Sequence, residues 1–107
     1  MGSKHPLAVR DRAYLAANLD AYLAWGKRHD VPLYLGELGL YKACFEGDKG
    51  GLRWAADMLD LLSERRLSFT WHAWHEESFG IFRGDGPIAA ATPNEALLKL
   101  FRDKLSR

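Results

Sequence analysis

One strand-like stretch limits the fold of this chain strongly, because it is apolar and yet ends in a charged residue. It reads Val31-Pro-Leu-Tyr-Leu-Gly-Glu-Leu-Gly39. Alternation of side chains predicts a strand with Leu33, Leu35 and Glu37 on one face. A carboxylate on such a face is unfavourable unless it is paired or lies at an open end, and the glycines beside it allow close backbone approach there. We therefore expect Glu37 to be the last inward residue of this strand, at the mouth of a site.

Helical and strand-like segments alternate along the rest of the sequence. Helices are predicted over about residues 10–29 and 51–65, and a last helix is predicted to open with the capping box Thr92-Pro-Asn-Glu95. A second strand is predicted over residues 67–74, and the loop at 38–49 is longer than such connections usually are. The order helix–strand–helix–strand–helix indicates an α/β fold in which the two strands pair in parallel through a crossover.

The second predicted strand has one polar and one apolar face. Alternation places Ser68, Thr70, His72 and Trp74 on the first face, and Leu67, Phe69, Trp71 and Ala73 on the second. The apolar face suits packing on helices, and the other suits the interior of a barrel near its open end. We therefore expect Trp71 in the core and Trp74 at the mouth of the site, on the same face as His72.

These motifs, in this order, resemble the end of a cellulase-type (β/α)8 barrel of glycoside hydrolase family 5. The Gly-Glu-Leu-Gly sequence around Glu37 is similar to the penultimate strand of that family, and Leu67-Ser-Phe-Thr-Trp-His-Ala-Trp74 is similar to its last strand. Ser78-Phe-Gly-Ile-Phe82 and Gly84-Asp-Gly-Pro87 resemble the closing loop before the final helix. The resemblance covers about residues 9–106 and implies a partial (β/α)8 barrel.

The resemblance also implies roles for particular residues. Glu37 corresponds to the nucleophile of a retaining glycosidase, which forms a glycosyl-enzyme intermediate. Trp74 corresponds to a sugar-stacking residue, since an indole offers a rigid apolar surface to the C–H face of a sugar ring. His72, Tyr41 and Glu77 are the further substrate-binding candidates. The residues by themselves also allow a structural interpretation, in which Glu37 pairs with an arginine and Trp74 belongs to the core.

The general acid/base of that mechanism is not among the motifs of this chain. In the resembled family it follows an asparagine at the end of the fourth strand, upstream of the matching motifs. Glu76 and Glu77 are carboxylates that could in principle replace it, but the corresponding loop binds substrate in the family. We therefore expect this chain to supply the nucleophile half of a site and to be inactive alone.

The length of the chain, 107 residues, is well short of the roughly 250 residues of a complete barrel. Two parallel strands leave two open sheet edges, and such a pair is not expected to be stable alone. Residues 1–107 are expected to form one C-terminal barrel fragment, completed by an N-terminal barrel half or by self-association into a homo-oligomer. Residues 1–5 lack the apolar segment of a signal peptide and are expected to be start residues outside the fold.

Composition narrows the class of partners. A formal net charge of +1 offers no basic field for nucleic acid, and no apolar run approaches the ~20 residues that span a membrane. No cofactor and no metal are expected, because His72 and His75 would point to opposite faces of a strand. Cys44 is the single cysteine, lacks a Cys-His pattern around it, and leaves the cellular compartment open.

The expected function is hydrolysis of O-glycosyl bonds in β-linked glycans, of the endo-β-1,4-glucanase type, by a completed barrel. The alternative is a non-catalytic unit, either a self-associating partial barrel or a carbohydrate-binding unit. An asparagine–glutamate strand upstream in the parent protein would distinguish the two. The choice between glucan, mannan and glycolipid stays open, because the loops that select the glycan belong mostly to the rest of the barrel.

Overall fold

The three helices and two main strands follow one another in the predicted order, with a 3₁₀ helix and two short strands that were not predicted. The computed structural model describes residues 11–84, 86–87 and 91–105, so residues 1–5 lie outside the described part. The elements are α1 (Arg12–Arg28), β1 (Tyr34–Leu38), the 3₁₀ helix η1 (Lys42–Phe45), α2 (Gly51–Glu64), β2 (Ser68–Trp71), β3 (Phe82–Arg83), β4 (Thr92–Pro93) and α3 (Glu95–Leu105). The chain divides into two compact units between Pro32 and Leu33.

The first unit contains α1, which has well-defined ends. The side chain of Asp11 accepts a hydrogen bond from the backbone N–H of Tyr14 at 3.0 Å and caps the helix. At the other end Asp30 has φ 53°, and the N–H of Val31 bonds to the carbonyl of Gly26 at 2.9 Å. This is a Schellman motif, and aspartate tolerates its left-handed position because its short side chain bonds locally.

The second unit is built on a two-stranded parallel sheet with an irregular register. The paired residues are Tyr34 with Ser68, Leu35 with Phe69, and Leu38 with Trp71. Gly36 and Glu37 together therefore lie opposite Thr70 alone, so β1 contains one extra residue, a β-bulge. The parallel pairing confirms the prediction, whereas the bulge was not predicted.

Helix α2 supplies most of the core of the second unit. The buried apolar residues are Leu38 from β1, Ala55, Met58, Leu59, Leu61 and Leu62 from α2, and Leu97 from α3. The Trp71 ring meets Phe101 of α3 edge-on, with 5.0 Å between ring centroids, which confirms that Trp71 faces the helices. Lys104 of α3 also contacts Asp60 of α2 at 2.8 Å. Burial of a leucine side chain contributes about 1.5–3 kcal/mol, so these leucines dominate the packing.

The start of α3 differs from the prediction. Thr92 and Pro93 form β4, which pairs antiparallel with β3 and precedes the helix. The helix begins at Glu95, and the side-chain oxygen of the buried Asn94 accepts a hydrogen bond from the N–H of Leu97 at 3.2 Å. Asn94 is therefore the cap, and the predicted capping box at Thr92 is wrong because strand pairing holds that residue extended.

Both outer edges of the parallel sheet are unpaired within the described residues, where β1 and β2 pair only with each other. A groove of about 480 Å³ lies between β2 and α3, and it is lined mainly by apolar side chains. Its lining residues are Leu67, Ser68, Phe69, Trp71, Phe101 and Leu105. None of the helices in the described ranges is long and apolar enough to cross a membrane.

Candidate active site

The bulge in β1 decides which way Glu37 points. Leu38 lies opposite the helix-facing Trp71 and is buried, whereas Glu37, just before it, is exposed. Neighbouring residues of an extended strand point to opposite sides, so Glu37 lies on the face away from the helices. Leu35 instead shares the face of Leu38. The predicted grouping of Leu33, Leu35 and Glu37 on one face is therefore wrong, since the extra residue changes the alternation.

The carboxylate of Glu37 lies at the carboxyl end of a strand in a parallel pair, one residue before the end of β1. It is exposed, and within the described part of the chain it makes no hydrogen bond or ion pair. A structural pairing with an arginine therefore has no support among those residues. The carboxylate is available to a ligand at this end of the sheet.

Gly39 brings the loop after β2 against the end of β1. A Cβ atom at this position would lie closer than 3.0 Å to the carbonyl oxygen of His72. The N–H of His72 donates to the carbonyl of Leu38 at 2.6 Å, which holds the two segments together. At Gly36 a Cβ atom would meet only the Tyr34 ring, at 3.7 Å. The predicted close backbone approach is confirmed at Gly39 and is absent at Gly36.

Trp74 lies in the loop after β2, because the strand ends at Trp71, three residues earlier than predicted. The predicted strand end at Trp74 is therefore wrong, and strand alternation no longer bears on whether Trp74 and His72 share a face. The indole is 68% exposed and meets the Phe82 ring edge-on at 5.4 Å. Its exposure excludes a core role and leaves a flat apolar surface open to solvent.

His72 and Tyr41 meet at Phe79. The Phe79 ring lies 4.6 Å from the Tyr41 ring and 5.1 Å from the His72 ring, between centroids. Nε2 of His72 lies 3.3 Å from a carboxylate oxygen of Glu76, so a ligand would compete with Glu76 for this nitrogen. Glu77 follows Glu76 in the same loop and is exposed. The structure thus brings two of the four substrate-binding candidates together.

Phe79 and Lys42 were not predicted as site residues. Phe79 belongs to the closing-loop motif, which was the available signal for it, and its backbone forms an antiparallel bridge with Tyr41. Lys42 carries no sequence signal, because its partners are distant in the chain. Its ammonium group donates to the carbonyl oxygens of Glu76, at 2.6 Å, and of Gly84, and it lies 3.3 Å from Nδ1 of His75.

Among the residues that the structure describes, no group of three His, Cys, Asp or Glu side chains lies close enough together to bind a metal ion. The chemistry available at this end of the sheet is that of an unpaired carboxylate and exposed aromatic rings. Such a set suits a sugar ligand, because rings stack on its C–H faces and carboxylates accept from its hydroxyl groups.

The backbone of this chain matches part of a known enzyme fold. It superposes on endoglucanase Cel5A from the hyperthermophilic Thermotoga maritima with a TM-score of 0.69 and 22% identity, over 87% of this chain and 28% of that one. It also superposes on that protein in complex with cellobiose, with a TM-score of 0.68 and 20% identity over 88% of this chain and 28% of that one. The complex with mannotriose gives a TM-score of 0.67 and 21% identity over 91% of this chain and 29% of that one. The sequence matches no protein-family model and no curated protein.

The match establishes the fold: the chain is a small α/β fragment that corresponds to part of a cellulase barrel. The chain spans about 28% of the length of the endoglucanase that it matches. The predicted partial barrel is thus confirmed at the level of fold.

Proposed function

We propose that this chain is the C-terminal part of a retaining glycoside hydrolase of the cellulase type, similar to family 5, that acts on β-linked glycans such as β-1,4-glucans. Glu37 is the nucleophile in this proposal, and Trp74, His72, Tyr41 and Glu77 contact the substrate. The observation that carries it is the exposed carboxylate of Glu37 at the carboxyl end of a parallel strand, which has no partner among the described residues. Barrel enzymes build their active sites at this end of their strands.

The substrate class is supported by the fold and by the aromatic surface. The matched endoglucanase forms complexes with cellobiose and with mannotriose. In this chain the exposed indole of Trp74 and the Tyr41–Phe79 pair offer apolar ring surfaces, which suit the C–H faces of pyranose rings. We therefore propose a β-linked glycan and leave glucan or mannan to experiment.

In this proposal an N-terminal barrel half, or a second copy of this chain, completes the site. A retaining glycosidase needs a second carboxyl group ~5–5.5 Å from the nucleophile to protonate the leaving oxygen. Glu76 is engaged with His72, and Glu77 has no supporting contact among the described residues. We therefore propose that residues 1–107 are one C-terminal barrel segment. Its open strand edges and the apolar groove beside β2 would be covered by an N-terminal barrel half or by further copies.

The test is activity by complementation. The isolated chain is expected to show no hydrolysis of a soluble β-1,4-glucan, and mixing it with an N-terminal barrel half that carries an asparagine–glutamate strand is expected to restore hydrolysis. Glu37→Gln should lower the restored activity at least about 10³-fold, because the amide cannot form the glycosyl-enzyme intermediate. The shape of the side chain is retained, so folding should be unchanged.

Glu46→Gln is the matched control, since it removes a negative charge from the exposed loop after β1 without touching the proposed nucleophile. It should leave restored activity within about twofold. Hydrolysis by the isolated chain, or a Glu37→Gln barrel that remains active, would refute the assignment.

A non-catalytic carbohydrate-binding unit is the second candidate, and the exposed Trp74 favours it independently of Glu37. In that case Trp74→Ala would abolish binding of a β-1,4-linked hexasaccharide, and no complementing fragment would produce hydrolysis. Calorimetric titration and the complementation assay together separate the two functions.

A further inference from the structure

The half-buried Lys42 has all three of its ammonium hydrogens committed to the loop after β2. Two acceptors are backbone carbonyl oxygens, of Glu76 at 2.6 Å and of Gly84, and the third is Nδ1 of His75 at 3.3 Å. An ammonium group has three donors and no acceptor, so its hydrogen-bonding capacity is used up. We call these three acceptors the Lys42 cradle.

The imidazole of His75 extends the cradle by one step. Its Nδ1 faces an ammonium group that can only donate, so Nδ1 must accept. The hydrogen is then on Nε2, which donates to the carbonyl of Gly86 at 2.7 Å. One lysine side chain therefore joins η1 to residues 75–76, 84 and 86 of the segment that follows β2.

Backbone hydrogen bonds hold the loop that carries both this cradle and Trp74. The backbone N–H of Lys42 donates to the carbonyl of Ser78 at 2.7 Å, and the N–H of Ile81 donates to the carbonyl of Trp74 at 3.2 Å. The N–H of Glu76 donates to the carbonyl of Phe79 at 2.9 Å. His75 of the cradle directly follows Trp74 in the chain, so a change in the cradle reaches the residue that carries the exposed indole through one peptide bond.

We infer that Lys42 is a positioning residue, which holds the loop after β2 so that Trp74 presents its indole to a glycan while Lys42 itself touches none. The inference rests on the proposed function for its glycan step. Without the ammonium group, two carbonyl oxygens and an imidazole nitrogen lose their donor, and hydrogen bonds to charged groups are the stronger class. The loop would then adopt several conformations, and only a fraction of the molecules would present the indole of Trp74 in the position that binds a glycan.

The test compares Lys42→Met with the wild-type chain. Methionine keeps the length of the side chain but has no donor. Amide hydrogen exchange at Glu76 and Ile81 is expected to accelerate at least about tenfold, while exchange in α2 stays unchanged. The dissociation constant for a β-1,4-linked glucose hexasaccharide, measured by calorimetric titration, is expected to rise about tenfold. Lys49→Met is the matched control, because it removes an exposed lysine from the loop before α2 and should change neither quantity.

Lys42→Gln is the second variant, in case Lys42→Met does not fold, and its single amide donor group should give a smaller loss of exchange protection. Unchanged exchange at Glu76 and Ile81 in a folded variant would overturn the inference, as would accelerated exchange with unchanged glycan affinity. A wild-type chain that binds no hexasaccharide, either alone or completed by the N-terminal barrel half, would overturn the glycan role and argue against the proposed function. In that case amide hydrogen exchange at Glu76 and Ile81 would still test whether Lys42 holds the loop, independently of glycan binding.

Discussion

The contact between Gly39 and the backbone of His72 predicts a large difference between two glycine substitutions that look alike in the sequence. In Gly39→Ala the new methyl group would lie closer than 3.0 Å to the His72 carbonyl oxygen and 3.2 Å from its carbonyl carbon. The end of β1 and the loop after β2 would have to separate. That movement breaks the hydrogen bond from His72 to Leu38, and we expect a loss of about 2–3 kcal/mol from overpacking and the lost bond.

Gly36→Ala is the matched control, because its methyl group would meet only the Tyr34 ring at an ordinary 3.7 Å. Both substitutions reduce the entropy of the unfolded chain equally, so that effect cancels in the comparison. Urea unfolding followed by circular dichroism measures the difference, at one protein concentration because association affects stability. In thermal unfolding the two variants should differ by roughly 10–20 °C. A difference below about 0.5 kcal/mol would refute the close approach at Gly39.

Three further predictions concern stability and assembly. Asn94→Ala should destabilise the chain by about 1–2 kcal/mol through loss of the α3 cap. The control Thr92→Ala should change the free energy of unfolding by less than about 0.5 kcal/mol. Equal losses in the two variants would contradict the observed cap. Arg66→Gly should stabilise the chain by up to about 1 kcal/mol in urea unfolding, because Arg66 has φ 53°, a left-handed conformation that favours glycine. Arg65→Gly should destabilise the chain, because Arg65 is the C-cap of α2 and has right-handed helical dihedrals. Light scattering should find an assembly heavier than the 12.1 kDa chain, since both edges of the parallel sheet are unpaired among the residues that the structure describes. A stable, cooperatively melting monomer would exclude that proposal.

Local sequence patterns were sufficient for the order of the elements and for the location of the candidate site. The apolar stretch before Glu37 predicted a strand, and the alternation from Ser68 to Trp71 predicted both faces of β2 correctly. These properties depend on residues that are close in sequence, because strand alternation and helix capping operate over one to four residues. The position of Glu37 at a strand end followed from the same short-range signals.

The tertiary structure alone decided the details that govern the site. The bulge that turns Glu37 away from the helices arises from pairing with β2, and the end of β2 at Trp71 is set by the loop that packs against Gly39. The position of the α3 cap depends on β3, which pairs with Thr92 and Pro93. The Lys42 cradle joins residues 33 to 42 positions apart. Each of these features depends on contacts between residues that are distant in the chain, so no local pattern of side chains specifies them.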